Sequence, residues 1–287
     1  MNTEFSNAQR AEVLTQALPY IKRYTGKIVV VKYGGNAMVN ESLKQQVMED
    51  MALLWLIGVK VVLVHGGGPE ISELMERLGK KPEFIDGLRV TDRETVDIAQ
   101  MVLAGKVNKT LVKLLEAKGG RAMGISGMDG SLIEARQKSE KLGYVGEVTH
   151  VNIAPVVDLL EKGYIPVIST LGVDRAGNTY NINGDTAAAF IAGALGAERL
   201  IMMTDIAGLL MDKDDPSSLV PRVTVPEARD LMGSGVISGG MIPKVECCIN
   251  ALSMGVQNVV IMDGRVPHSI LMELLTDEGA GTMVTGG

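Results

Sequence analysis

Two lysines frame the chemistry open to this sequence. Lys32 follows a β-branched run, Val29 to Val31, and opens into Gly34 and Gly35, while Lys244 comes shortly after Gly239 and Gly240 at the start of a helical stretch. A third loop, His65-Gly66-Gly67-Gly68-Pro69, again joins an apolar run to a helical pattern. Glycines at strand ends let backbone N–H groups approach a phosphate, the free N–H groups of a following helix favour an anion, and lysine adds a point charge. A cation in a first helical turn opposes the helix dipole, so Lys244 is better explained by a bound anion than by helix stability. The spacing fits neither a Walker A loop, where lysine follows the glycines, nor the G-x-G-x-x-G of a dinucleotide site. Three glycines in a row add no packing and cost backbone entropy, so a purely structural use of Gly66 to Gly68 is hard to justify. His65 reads as a structural histidine at a strand end in preference to a base.

Acidic and polar groups complete the set. Asp185 enters an alanine-rich helical stretch within Tyr180-Asn181-Ile182-Asn183-Gly184-Asp185-Thr186, where a helix cap accounts for one such side chain but not for three. Period-two alternation places Asn181 and Asn183 on the same side of a short strand. Arg89, in Gly87-Leu88-Arg89-Val90-Thr91-Asp92, follows a turn, and its planar fork suits a small carboxylate. Another apolar run ends in Thr204-Asp205-Ile206-Ala207-Gly208, polar and turn-forming as a nucleotide pocket requires. No Ser-His-Asp arrangement and no metal-ligand spacing accompanies these residues. Such an inventory suits phosphoryl transfer by positioning and charge stabilisation.

The elements that must position these groups follow from periodicity. Strands are expected at 27–31, 61–64, 165–168, 200–203 and 259–262, and helices at 43–57, 69–78, 95–104, 107–117, 153–160, 186–195 and 243–254. This alternation predicts an α/β fold with a mostly parallel sheet, its strands buried on both faces under helices. Residues 83–91 and 131–151 read as hairpins rising from the sheet, and 212–222 as a charged loop. Ahead of the first strand, Val13, Leu14, Ala17, Leu18 and Ile21 recur at helical spacing, with Pro19 predicting a kink.

Composition narrows the partners. The chain of 287 residues carries a net charge of −6 with only 3% aromatics, which offers neither the positive field nor the stacking platforms of a nucleic-acid binder. The longest apolar stretch, 51–64, is interrupted by Gly58 and Lys60 and falls short of a membrane span. The N-terminus lacks the pattern of a secretory signal, so a cytoplasmic enzyme is expected. Cys247 and Cys248 are adjacent, which suits neither a disulfide between them nor zinc, and they read as small buried helix residues.

In order along nearly the whole chain, KYGGNAM (from Lys32), VHGGGP, GLRVTD, NINGDTAA, MTDIAGLL and GGMIPKVE, with the tract His268 to Thr282, resemble the acetylglutamate kinases of the amino acid kinase family. The resemblance implies a three-layer αβα sandwich that phosphorylates the side-chain carboxylate of N-acetyl-L-glutamate with ATP, Mg2+ bridging the ATP phosphates. It implies that Lys32 and Lys244 stabilise the transferring phosphoryl group from opposite sides and that Asp185 orients both. Gly67, Gly68, Arg89 and Asn181 would hold acetylglutamate, Arg89 by its α-carboxylate. Gly34, Gly35, Thr204, Asp205, Gly208, Leu209 and Gly240 would surround the nucleotide. His268, Glu273, Gly279 and Gly281 resemble a site for L-arginine as feedback inhibitor, with Glu273 on the guanidinium. Residues 1–25 resemble a kinked helix that joins subunits into a homohexamer, a trimer of dimers, with 26–182 as the acetylglutamate and dimerisation lobe and 183–287 as the ATP lobe. A PII signalling protein is a further candidate partner. Two alternatives stay open: an enzyme of the same fold for another acceptor, and a catalytically idle arginine-sensing subunit, against which the joint presence of Lys32, Asp185 and Lys244 speaks.

Overall fold

A computed structural model describes residues 6–38 and 40–287, with Asn36 and Ala37 described by backbone alone. Helices α1 (Asn7–Gln16) and α2 (Leu18–Tyr24) precede strand β1 (Ile28–Tyr33), and α3 (Glu41–Leu56), β2 (Lys60–His65) and α4 (Gly68–Arg77) follow. A short hairpin, β3 (Phe84–Ile85) and β4 (Leu88–Arg89), leads into α5 (Arg93–Gln100), a π-helical stretch (Met101–Val107) and α6 (Asn108–Ala117). Then come β5 (Ala122–Ser126), β6 (Ile133–Gln137), β7 (Gly146–Val151), α7 (Ala154–Glu161), β8 (Ile165–Ser169), β9 (Leu171–Val173) and β10 (Thr179–Asn181). The chain finishes with α8 (Gly184–Ala194), β11 (Arg199–Thr204), β12 (Arg222–Thr224), α9 (Val225–Gly233), α10 (Met241–Ser253), β13 (Asn258–Asp263), α11 (Ser269–Leu275) and β14 (Gly281–Thr285).

Eight strands form the main sheet in the order β12-β14-β13-β11-β1-β2-β8-β5, and all pair in parallel except β13 with β14. Side chains alternate across it. Val29, Val31, Val61, Leu63, Ile201 and Val260 enter one core with α3, α5 and α6; Val30, Val62, Val64, Leu200 and Val259 enter the other with α7, α8 and α10. The result is a three-layer αβα sandwich whose central strands are buried on both faces. A second sheet, β10-β9-β6-β7, carries the expected 131–151 hairpin, and β3–β4 is the other expected hairpin.

Strand order fixes where a ligand can sit. From β1 the chain moves to β2 on one side and reaches β11 on the other, so the carboxyl end of β1 is a topological switch point, where open α/β sheets leave a crevice. Lys32 stands at that end. It shares its face with Val30, two residues back, and so points towards the layer that holds α8, while His65 shares its face with Val61 and Leu63 and points into the opposite layer.

Three local expectations change. The helices expected at 95–104 and 107–117 are one continuous rod, because the stretch around Gly105 takes π-helical pitch without breaking. The strand carrying Asn181 ends at that residue, so Asn183 does not share its strand face; the Asn183 side chain instead caps α8 by accepting from the Thr186 N–H at 3.0 Å. The N-terminal helix breaks at Ala17 into two, with Pro19 in the first turn of the second, and residues 1–5 lie outside the described residues. Helix α1 starts with a capping box between Ser6 and Gln9, yet buries none of its residues.

Candidate active site

At the switch point the structure brings Lys32, Asp185 and Lys244 together from three elements. Lys32 Nζ lies 2.8 Å from Asp185 Oδ1, and Lys244 Nζ lies 3.7 Å from Oδ2, so one carboxylate sits between two ammonium groups. Lys32 comes from β1, Asp185 from the first turn of α8 after its Asn183 cap, and Lys244 from the first turn of α10, which packs on α8. Burial pushes the Asp185 carboxyl upward, but the charges of Lys32 and Lys244 outweigh it and hold the group below the usual carboxylate range. The Asp185 carboxylate is therefore ionised at neutral pH.

Two cavities lie by this trio, one lined by Gly184, next to Asp185, and the other by Lys244. The first, of about 160 Å3, is lined by Gly66, Gly67 and Gly68, by the hairpin residues Phe84, Gly87 and Arg89, and by Leu103, Asn181, Asn183 and Gly184. Arg89 is 7% exposed, and its Nη2 donates to Gly68 O and Ser72 Oγ, both at 2.8 Å, with the Phe84 ring 4.8 Å below the guanidinium. Among the described residues no carboxylate pairs with it. A buried guanidinium without an acid partner is costly unless an anion completes it. Asn181 reaches the same cavity from the end of β10.

The second cavity, of about 530 Å3, is lined by Asp205, Gly208, Leu209, Lys213, Gly240, Lys244 and Arg265. Gly208 has φ +149°, and a Cβ there would fall 2.5 Å from Thr282 Oγ1, so only glycine lets this loop lie against β14. Thr204, expected beside the nucleotide, does not line this cavity. It is 4% exposed, and its hydroxyl accepts from the Ile206 N–H at 3.1 Å, which shapes the turn after β11 instead. Gly34 and Gly35 likewise do not line the second cavity. A Cβ on Gly34 would meet Gly66 N at 3.5 Å and Lys32 Cε at 3.6 Å, which places Gly34 between Lys32 and the 66–68 glycine loop; Gly35 takes φ +67°.

Sequence reasoning did not single out Ser72, Phe84 and Leu103 as site residues. Ser72 and Leu103 are unremarkable helix residues in the sequence, and only the fold swings them onto Arg89 and Gly67. A Cβ on Gly67 would come 2.7 Å from Leu103 Cδ2, so Gly67 is glycine for closeness to the π-helical stretch.

The tract expected to bind arginine lies elsewhere, beside α2. Glu273 is 7% exposed and accepts from Arg199 Nη1 at 2.6 Å through Oε1 and from the Ala280 N–H at 3.0 Å through Oε2. Arg199 in turn donates from Nη2 to the Tyr24 hydroxyl at 2.6 Å. Glu273 thus already holds a guanidinium, that of Arg199. Gly279, at φ +69°, lies against Glu273 Oε2, whereas Gly281 packs on the Ile261 carbonyl, where a side chain has no room. His268 Nδ1 lies 2.6 Å from Asp50 Oδ1. Burial raises the Asp50 carboxyl to about 6, against the pull of His268.

Known proteins resemble this chain along most of its length. The sequence pattern of the amino acid kinase family matches residues 27–263. An acetylglutamate kinase of Nostoc sp. strain PCC 7120 is 52% identical over 282 residues, 98% of this chain and 95% of that protein. The N-acetylglutamate synthase of Neisseria gonorrhoeae, solved with coenzyme A and N-acetyl-glutamate, superposes with a TM-score of 0.83 at 26% identity over 96% of this chain. The same synthase solved with coenzyme A and L-arginine superposes with a TM-score of 0.79 over 96% of this chain. The present chain spans 63% and 65% of those two synthase chains.

Proposed function

Because this chain belongs to the amino acid kinase family, we propose that it transfers the γ-phosphoryl group of ATP to the side-chain carboxylate of N-acetyl-L-glutamate, a step of arginine biosynthesis. One observation carries the reading: two lysines converge on a single partly buried aspartate, with one cavity lined by its neighbour Gly184 and a second lined by Lys244. Acetylglutamate occupies the smaller cavity with its α-carboxylate on Arg89, whose missing acid partner it supplies. Asn181 and the N–H groups of Gly67 and Gly68 hold the remainder. ATP occupies the larger cavity, its phosphates reaching towards Lys244.

A side-chain carboxylate oxygen bonds to the γ-phosphorus while the bond from that phosphorus to the β–γ bridging oxygen breaks. The products are N-acetyl-L-glutamyl 5-phosphate and ADP. The nucleophile is already ionised, so no general base is needed and no proton moves. Lys32 and Lys244 stabilise the equatorial oxygens, and Asp185 keeps the two ammonium groups in register. Mg2+ would arrive with the nucleotide, neutralising charge between the phosphates, which suits a cation that usually keeps water and phosphate ligands. Asp185, engaged by both lysines, is not free to serve as a metal ligand in this arrangement.

Hydroxylamine trapping tests the reaction. With ATP and Mg2+, hydroxamate should form from N-acetyl-L-glutamate well ahead of glutamate, aspartate or carbamate. Trapping from another member of that panel instead would reassign the substrate.

A second reading concerns control. The packing of α11 on α2, the link from Glu273 through Arg199 to Tyr24 of α2, and a synthase of similar fold solved with L-arginine support inhibition by L-arginine at this position. The effector would then compete with Arg199 for Glu273. Val13 and Leu14 of α1 and Leu18 at the start of α2 are 57%, 73% and 59% exposed, an apolar face that a neighbouring subunit of a hexamer would cover.

A further inference from the structure

His65 is fully buried, lies next to the glycine loop, and takes no part in the phosphoryl transfer described above. Its hydrogen bonds fix its state. Asn108, also fully buried, directs Nδ2 at the carbonyls of Val167 (2.9 Å) and Ile125 (3.2 Å), while its Oδ1 accepts from Lys109 Nζ at 3.0 Å. That pattern assigns the amide: Nδ2 is the donor, and it also faces His65 Nε2 at 3.1 Å. Nε2 must therefore accept, and Nδ1 must carry the hydrogen. Nδ1 lies 2.8 Å from the Gly66 carbonyl oxygen, which can only accept. Burial moves the imidazole down to about 4, so the ring is neutral at physiological pH.

The Gly66 carbonyl belongs to the same planar trans peptide as the Gly67 N–H, and in such a unit the two groups point in opposite directions. Holding the carbonyl against a buried ring turns the N–H the other way. Among the described residues the Gly67 N–H has no hydrogen-bond partner, and Gly67 lines the smaller cavity. Three consecutive glycines would otherwise leave this peptide free to rotate.

We infer that His65, held as the Nδ1–H tautomer by Asn108, is a positioning residue that locks the Gly66–Gly67 peptide so that the Gly67 N–H faces the reacting carboxylate and phosphoryl oxygens. The inference rests on the kinase reading above. It assigns His65 neither proton transfer nor contact with substrate. The donor is preorganised, as stabilisation of developing charge requires.

Isosteric substitution separates this role from simple packing. Asparagine places an amide N–H where Nδ1 stood, whereas glutamine places its polar end near Nε2. His65→Asn should keep turnover within several-fold of wild type, and His65→Gln should lower kcat roughly 100-fold, the scale of losing one preorganised donor, with KM for ATP unchanged. Thermal melts and ATP binding confirm that each variant is folded. Equal kcat for the two folded variants, or loss in the opposite order, overturns the inference. Should either variant fail to fold, nitrogen-15 NMR of the wild-type imidazole decides: hydrogen on Nδ1 across pH 5.5–8 is expected, and an Nε2–H tautomer or a titration near pH 6.5 overturns it. Hydroxamate formation by the wild-type enzyme tests the kinase reading separately, so the two can fail independently.

Discussion

At the residue scale, Lys32 and Lys244 stood out in the sequence because each is locally expensive, and Asp185 because one helix cap does not account for Asn181, Asn183 and Asp185 together. A lysine ending a strand buried on both faces, and a cation in the first turn of a helix, have no structural benefit that outweighs their cost. Thr204 was expected beside the nucleotide, and its hydroxyl shapes the turn after β11, since a hydroxyl at a strand end serves a turn as readily as a ligand. Glu273 was expected to hold the guanidinium of an arginine effector, and nothing local reveals that Arg199, distant in sequence, pairs with it. Replacing Lys32 or Lys244 by alanine should lower kcat by about 10²–10³-fold, since each removes a charge aimed at the transferring group. Steady-state kinetics on folded variants check this, and a loss below tenfold would contradict the assigned roles. Asp185, held below the usual carboxylate range, contributes stability that is present above its unfolded value of 3.8 and lost only as the pH falls through its lower folded value. Its protonation therefore gives kcat no acid limb between pH 5 and 7, and a pH–rate profile on acid-stable enzyme shows whether one exists.

At the element scale, the central strands were legible from their unbroken β-branched runs, and the glycine loops from their position after those runs. The π-helical stretch was not. Its residues carry no periodicity that separates a wider turn from a helix break, and Gly105 invited the second interpretation. Yet this stretch matters to the site, because it presses Leu103 onto Gly67. Gly67→Ala should reduce kcat/KM for acetylglutamate at least tenfold by pushing the loop away from Leu103. Leu103→Ala in the same chain should recover part of that loss, while costing about 2–5 kcal/mol of stability as a large-to-small core change. Absence of any recovery in a folded double variant would show that the glycine is needed for some other reason.

At the scale of the whole molecule, the sheet order was beyond sequence reasoning, since helix and strand patterns do not state which strands are neighbours. It is that order which makes the carboxyl end of β1 a switch point, with one cavity lined by Gly184, beside Asp185, and another by Lys244. The N-terminal helix was legible as helical with a kink, and the proposed partner of α1, which buries none of its own residues, is a neighbouring subunit. Removing residues 1–16 deletes α1 alone and spares Tyr24, which is 2% exposed and bonded to Arg199. The melting temperature should hold within a few degrees while sedimentation shows dimers in place of hexamers. An unchanged hexamer mass would remove α1 from the assembly.

The central claim is that a side-chain carboxylate oxygen of N-acetyl-L-glutamate attacks the γ-phosphorus of ATP. It is tested most directly with acetylglutamate carrying oxygen-18 in that carboxylate. Hydroxylamine cleaves the acyl phosphate at carbon, so the released phosphate keeps the bridging oxygen, and phosphorus-31 NMR should show a single oxygen-18 in each phosphate. Phosphate without the label, from a reaction that consumes ATP in the presence of acetylglutamate, would contradict the account.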